Sequence, residues 1–257
     1  MSTVCFSVLS YYPSFITNEN INIGILFYVP DNNQAIFHSI TKWDRAKAFD
    51  DELDIDFMKD YLKGIADEVE DHLFSCQSDF DFEGFIKFYV NEYKFSSIQT
   101  VQIDHIENFI DNTQKMYLKF DYEKVERLNK NQERQYINKL LKSSDIPYSR
   151  KRIKGGFNEN IQYDYIIGEY AVKLFTFEGK NLSYLISSAK MWAYNAAEIK
   201  GKYKTIFIYD KEMKESEYYD AIIKILEQNA YKIMAFQEGI DYLLSLKRDQ
   251  LINSIAI

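Results

Sequence analysis

Two kinds of hydrophobic pattern share this chain. Residues 3–12 (Thr3-Val-Cys-Phe-Ser-Val-Leu-Ser-Tyr-Tyr12) and 21–29 (Ile21-Asn-Ile-Gly-Ile-Leu-Phe-Tyr-Val29) are rich in β-branched and aromatic side chains. Each run is followed by a breaker, Pro13 in one case and Pro30-Asp31-Asn32 in the other. Such side chains suit a pleated surface, so both runs predict strands, with a third at 34–40. A β-meander therefore opens the chain. After Trp43 the period lengthens: Phe57, Tyr61, Leu62, Ile65, Val69 and Leu73 recur at helical steps and predict an amphipathic helix over about 54–74. Mixed segments follow at 82–95 and 104–112, with a strand expected at 98–103.

The second half is punctuated more sharply. A helix is expected at about 131–143, carrying Tyr136, Ile137, Leu140 and Leu141 on one face and ending before Pro147. Three strands are expected at 148–154, 162–167 and 170–177, separated by Gly155-Gly156 and Gly168. Leu182, Leu185, Ile186, Ala189, Trp192, Ala193 and Ala196 define a further helix, with Asn181 as its N-cap and Gly201 beyond its end. A strand at 205–209, a helix at 215–228, a strand at 232–236 and a helix at 239–246 complete the order. The fold class expected is α+β: an N-terminal β-meander with helices, then a C-terminal α-β-β-β-α-β core extended by α-β-α.

Charge divides the chain. The formal net charge is -8, with 39 acidic and 31 basic residues. Residues 1–120 hold 20 Asp/Glu against 9 Lys/Arg, whereas residues 121–257 hold 19 against 22. That asymmetry suggests an acidic α+β domain over 1–120 and a second domain over 121–257. No Pro/Gly/Ser linker marks the boundary. The acidic excess is concentrated between residues 44 and 71, where Asp50, Asp51 and Glu52 adjoin Asp54, Asp56 and Asp60. It reads either as a solvated helix face with an acidic loop or as a surface for a basic protein partner, with Asp50, Asp51 and Glu52 as the contact residues.

The composition removes several classes. Aromatic residues make up 16% of the chain, too much apolar surface for a disordered polymer. Met1-Ser-Thr-Val-Cys5 offers no basic or apolar leader, and no apolar run approaches the roughly 20 residues of a membrane span, so a cytoplasmic protein without a membrane partner is expected. Cys5 and Cys76 are too few for a disulfide framework and read as reduced thiols. His38, His72 and His105 lack metal-ligand spacing, and the chain has no P-loop, no Gly-x-Gly-x-x-Gly and no Gly-x-Ser-x-Gly.

Asp164, in Gln162-Tyr-Asp-Tyr165, and Glu178-Gly-Lys180 give an acid in the second expected strand and an acid-x-Lys near the end of the third. With the element order over roughly 130–248, this resembles the PD-(D/E)xK nuclease-like fold. The resemblance implies Asp164 and Glu178 as ligands of Mg²⁺, if the site is active, and Lys180 as the residue orienting the attacking water, so that Asp164, Glu178 and Lys180 would be catalytic. A Gly replaces the apolar residue usual between acid and Lys. A second frame stays open: a hairpin turning at Gly168-Glu169 sets Asp164 near Lys173, where Ala171-Val-Lys173 lacks its acid, and Glu178-Gly-Lys180 then reads as a polar turn.

The run Tyr148-Ser-Arg150-Lys151-Arg152-Ile-Lys154 is the strongest local electropositive feature. With Arg134, Lys139 and Lys142 on the preceding helix it could follow a phosphate backbone, with Tyr148 and Phe157 available to stack on bases, placing a nucleic-acid contact within 134–180. The alternative is an exposed strand whose charge discourages edge pairing. At the other end, Phe6-Ser-Val-Leu-Ser-Tyr-Tyr12, then Glu19-Asn-Ile-Asn22-Ile-Gly24-Ile-Leu-Phe27, with Trp43-Asp-Arg45 downstream, resembles the bacterial family known as domain of unknown function 3037. No activity comes with that resemblance. In physical terms Gly24 predicts a bulge or a close backbone approach, and Glu19 and Asn22 are expected to satisfy neighbouring backbone groups. Two functions follow as expectations: a bacterial or phage nuclease-like protein acting on or binding nucleic acid, and a non-enzymatic interaction protein meeting a basic partner through residues 44–71.

Overall fold

A computed structural model describes the chain except residues 15, 17, 18, 76–78, 178, 179, 210–216, 256 and 257; for 71–75, 217, 218 and 247–255 it describes backbone alone. The chain divides into two compact units, Met1–Ser143 and Ser144–Ile257. Both mix helix and sheet, giving an α+β protein with antiparallel pairing in each unit and no closed barrel.

The first unit contains β1 (Ser2–Tyr11), β2 (Ile21–Val29), β3 (Gln34–Ser39), α1 (Asp44–Phe49), α2 (Ile55–Ser75), α3 (Phe82–Lys87), β4 (Tyr93–Phe95), β5 (Gln99–Ile103), α4 (Ile106–Tyr117) and α5 (Lys130–Ser143). The expected meander forms an antiparallel sheet in the order β3-β2-β1-β4; β5 pairs with the first half of β1 and β4 with its second half. The sheet is buried on both faces, which is why β1 and β2 read as nearly unbroken apolar runs. Leu9, Tyr11, Ile21 and Ile23 meet Met58, Leu62 and Ile65 of α2. The ring of Phe6 meets Phe109 and Tyr117 of α4, each at 5.8 Å.

The helix expected at 131–143 forms as α5, and its core belongs to the first unit. Tyr136 stacks on Phe109, with ring centroids 5.8 Å apart and planes at 16°, and its hydroxyl lies 3.0 Å from Thr113 Oγ1. The shift in charge balance at residue 120 therefore falls inside the first unit. The helix that would open the α-β-β-β-α-β order is held by aromatic contacts with α4.

The second unit contains β6 (Arg152–Lys154), β7 (Asn160–Gln162), β8 (Tyr165–Ile167), β9 (Tyr170–Phe175), α6 (Leu182–Ile199), β10 (Lys204–Tyr209), α7 (Glu217–Glu227), β11 (Lys232–Ala235) and α8 (Phe236–Ile255). Its main sheet runs β11-β10-β9-β8, with β9, β10 and β11 parallel and β8 antiparallel to β9. Parallel neighbours need crossovers, and α6 and α7 supply them. Phe207 packs with Leu185, Ala189 and Ile222 of those helices. A side chain on Gly239 of α8 would approach the next β10 residue, Ile208, to 2.7 Å, so this glycine lets α8 lie directly on the strand.

Two strand expectations need correction. The 148–154 strand is reduced to β6 plus a single bridge between Ser149 and Ile166. The 162–167 strand breaks at Tyr163-Asp164, so its first part joins a separate β6–β7 ribbon and its second part joins the main sheet. The break follows from Asp164, whose side chain takes the Leu174 N–H that a continuing strand would have used. No helix among the described residues is long and apolar enough to cross a membrane.

Candidate nucleic-acid interface and the Asp164 site

The β6–β7 ribbon is a two-faced element. Its register pairs Arg152 with Gln162, Ile153 with Ile161 and Lys154 with Asn160. Because strand side chains alternate, Ile153 and Ile161 point to one face, where they are buried with Tyr163, Ile166, Ala171 and Ile199. The other face presents Arg152, Lys154, Asn160 and Gln162 to solvent, preceded by exposed Arg150 and Lys151. The turn closes through Gly155 N–H donating to Glu159 O at 3.0 Å and Asn158 N–H donating to Gly155 O at 3.1 Å, with Asn158 in the left-handed region at φ 65. Phe157 projects from it, 80% exposed. Lys154 Nζ donates to Asn158 O at 3.1 Å, and the Arg150 guanidinium lies 5.4 Å over the Tyr165 ring. Glu159 is the acidic exception; its own backbone and the Phe157 N–H hold its carboxyl below the usual range.

Beneath the ribbon, Asp164 occupies the first position of the β8–β9 hairpin. Gly168, at φ 55, opens a two-residue loop with Glu169, and the register that follows sets Tyr165 against Val172. Asp164 N–H donates to Val172 O at 2.9 Å, extending the ladder by one step. Asp164 Oδ2 accepts from Leu174 N–H at 2.9 Å and lies 2.8 Å from Lys173 Nζ. The pair is largely covered, with side chains 8% and 18% exposed. Lys173 Nζ also lies 4.5 Å from the centre of the Trp192 ring, and Trp192 meets Tyr163 edge-on at 5.2 Å. The Tyr163 hydroxyl, 3.3 Å from Thr205 Oγ1, is pushed up to about 12 by burial.

The hairpin register is that of the second sequence frame: Lys173 faces Asp164, and Ala171, fully buried, stands two residues before the Lys. Glu178 lies outside the described residues. Lys180 is in the turn leading into α6; its N–H donates to Phe177 O at 3.3 Å and its Nζ lies 5.2 Å from the centre of the Tyr184 ring. Asn181 caps α6 as expected, its Oδ1 accepting from Tyr184 N–H at 2.9 Å. Among the described residues no three His, Cys, Asp or Glu side chains form a group able to hold a metal ion. Asp164 Oδ2 is occupied by an ammonium and a backbone N–H.

The remaining candidates fall in the first unit. Lys142 is exposed on α5. Asp51 and Glu52 are exposed, whereas Asp50 is engaged internally: it accepts from Tyr11 OH at 2.7 Å and from Glu52 N–H at 3.1 Å. Burial and then Asp50 raise the Tyr11 hydroxyl well above its ordinary value, so the phenol donates. Asp54 Oδ1 accepts Phe57 N–H at 3.0 Å at the start of α2, so part of the acidic run stabilises a helix N-terminus. Asn22 donates to Tyr117 O at 3.0 Å and accepts from Ser10 Oγ at 2.9 Å, and Glu19 is exposed. Gly24 meets both parts of its expectation. The β1–β2 register slips between Leu9 and Ser10, and a side chain at 24 would approach the Phe37 ring to 2.5 Å.

Residues 6–103 match a family described as a protein of unknown function (DUF3037), in agreement with the resemblance seen around Glu19, Asn22 and Gly24. The matched stretch runs from β1 into β5. No curated protein and no solved structure matches the chain.

Proposed function

We propose that residues 144–257 form a nuclease-like unit that binds nucleic acid through the β6–β7 ribbon and does not cleave it at Asp164. The observation that carries this reading is the ribbon's solvent face, where Arg152 and Lys154 stand beside Asn160, Gln162 and the exposed Phe157 ring, with exposed Arg150 and Lys151 just ahead of β6. Cations spaced along one strand face can neutralise successive phosphates, the amides can bond to sugar or base edges, and an exposed ring can stack on an unpaired base. The absence of cleavage is supported by the Asp164–Lys173 pair. An acidic oxygen held at 2.8 Å by an ammonium is a structural partner, and Ala171 supplies no second carboxylate in that frame. The unit as a whole is nearly neutral, with 16 Lys/Arg against 15 Asp/Glu, so binding rests on the local clustering.

Fluorescence anisotropy with labelled single- and double-stranded 20-mers of DNA and RNA tests the reading. The full chain is expected to bind at low salt, and Arg152→Glu with Lys154→Glu is expected to weaken binding more than tenfold and flatten its salt dependence. Binding that ignores both substitutions refutes the interface. Mg²⁺- or Mn²⁺-dependent cleavage that disappears in Asp164→Asn refutes the non-cleaving assignment.

A further inference from the structure

The first unit carries an open groove of about 370 Å³ lined by Tyr61, Phe88, Tyr89, Val90, Glu92 and Tyr93, with Asn91 between. Its construction is unusual for a surface. Phe88 is 85% exposed and Val90 63%, and Phe57, one helical turn before Tyr61, is 59% exposed. The rings form a continuous row: Phe57 stacks on Tyr61 at 6.2 Å, Tyr61 meets Tyr93 at 4.4 Å, and Tyr93 meets Tyr11 at 5.5 Å. An apolar patch of this kind on a folded unit marks an interaction surface more often than chance exposure does.

Two carboxylates flank the row. Glu92 lines the groove. Glu68 shares the Tyr61 face of α2 and acts electrostatically on both Tyr61 and Tyr89, whose hydroxyls are raised first by burial and then by that carboxylate. Among the described residues the lining holds no Lys or Arg, and three nearby cations have partners elsewhere: Lys59 with Asp56, Lys87 with Glu83, and Lys94 over the Tyr12 ring. Between Tyr61 and Glu68 on the same helix face stands Gly64, where an added Cβ would meet nothing within 4 Å. Glycine in a helix interior is unfavourable, and no close contact explains it here.

We infer that this groove docks an arginine-bearing segment of another protein, with a guanidinium laid on the Tyr61 and Tyr93 rings, paired with Glu68 or Glu92, and an aliphatic or aromatic neighbour against Phe88 and Val90. Arginine is favoured over lysine because its planar, weakly hydrated head stacks on a ring while still bonding a carboxylate. The site is distinct from the β6–β7 ribbon and takes the opposite charge.

The test is selection of binders from a random 12-residue peptide library on the full chain, followed by anisotropy titration of the synthesised winners. Arg beside an apolar residue is expected in the enriched peptides. Phe88→Ser and Glu92→Lys, both at exposed positions, are expected to weaken binding at least tenfold without shifting thermal unfolding. Gly64→Gln, which favours the helix, is expected to weaken binding while unfolding stays unchanged or moves up. Arg152→Glu is expected to leave peptide binding alone. Enrichment of acidic peptides, no enrichment, or winners insensitive to Phe88→Ser and Glu92→Lys overturns the inference. So does a dimer in solution that Phe88→Ser dissociates, since the occupant would then be a second copy of this chain.

Discussion

The two units solve burial differently. The first wraps a five-stranded antiparallel sheet in helices: one face carries a cluster of rings, Phe6, Phe27, Phe109, Tyr117 and Tyr136, and the other buries Leu9, Ile21, Ile23, Met58, Leu62 and Ile65 with Tyr11, edged by Tyr61, Tyr93 and Phe95. The second stacks parallel strands against α6 and α7, with Phe175, Phe177 and Phe207 beside Leu185, Ala189, Ala196, Ile222 and Leu226 in the contact. Charge follows the same division, with 15 Lys/Arg against 24 Asp/Glu in the first unit and near balance in the second. The first unit uses carboxylates at its periphery, as at Asp50 and Asp54, while the second places an acid and a lysine under cover at the start of a hairpin. Net charge is therefore a property of each unit, acidic in the first and nearly balanced in the second.

Four measurements can break or sharpen this contrast. Tyr136→Ala removes a ring that is 4% exposed and stacked on Phe109, and should cost about 3–5 kcal/mol. Hydrogen exchange should show β1 and α4 losing protection while β9 and β10 keep theirs; equal loss in both units would merge the two cores into one cooperative whole. Next, Lys173→Met leaves the covered Asp164 carboxylate without its cation, at a cost of about 3 kcal/mol by denaturant unfolding. Adding Asp164→Leu should recover part of that loss, the remainder reflecting the Leu174 N–H that loses its acceptor.

A smaller effect belongs to Asp241 on α8, whose carboxyl burial raises from 3.8 to about 6 against the opposing bond from Gln237. Between pH 4 and 6 the unfolded chain releases this proton while the folded chain keeps it. Stability is then complete below the lower value, falls as pH rises through the window, and is flat above it. Asp241→Asn should remove that slope and stabilise the protein at pH 7 by on the order of 2 kcal/mol; an unchanged pH profile would deny the burial. The smallest is Asn181→Ala, which removes the α6 cap and should cost about 1 kcal/mol, read as a lower thermal midpoint.

Much of the fold was legible because it rests on local pattern. β2 covers the expected 21–29, α2 follows the Phe57-to-Leu73 spacing within a residue or two, and Asn181 starts α6 where its side chain can accept an N–H. The Gly24 prediction held because a Cβ there would crowd the Phe37 ring and the His38 carbonyl. Where expectation and structure part, the deciding contact is distant in sequence. The 162–167 strand breaks because Asp164 bonds ten residues ahead, to Leu174. The last helix runs over 236–255, well past the 239–246 of its apolar pattern. In the candidate site, alternation along Arg150, Arg152 and Lys154 could be read directly, whereas the choice of lysine facing Asp164 hung on the hairpin register. Gly168-Glu169 was the signal for that register. The groove beside Phe88 left no such signal, since Tyr61 and Tyr93 are joined by packing alone.

The sequence by itself determined the α+β class, most strand and helix positions, the charge asymmetry and the basic face of one strand, because each is set by side-chain period or by local capping and turn chemistry. Only the tertiary structure decided that α5 is held by the first unit, that Asp164 is matched with Lys173, and that an acidic groove of aromatic rings opens beside α2. Those three outcomes depend on which surfaces meet after the chain turns back, and that choice is made by the total area and hydrogen bonding each alternative buries. A local window of residues carries no measure of that sum.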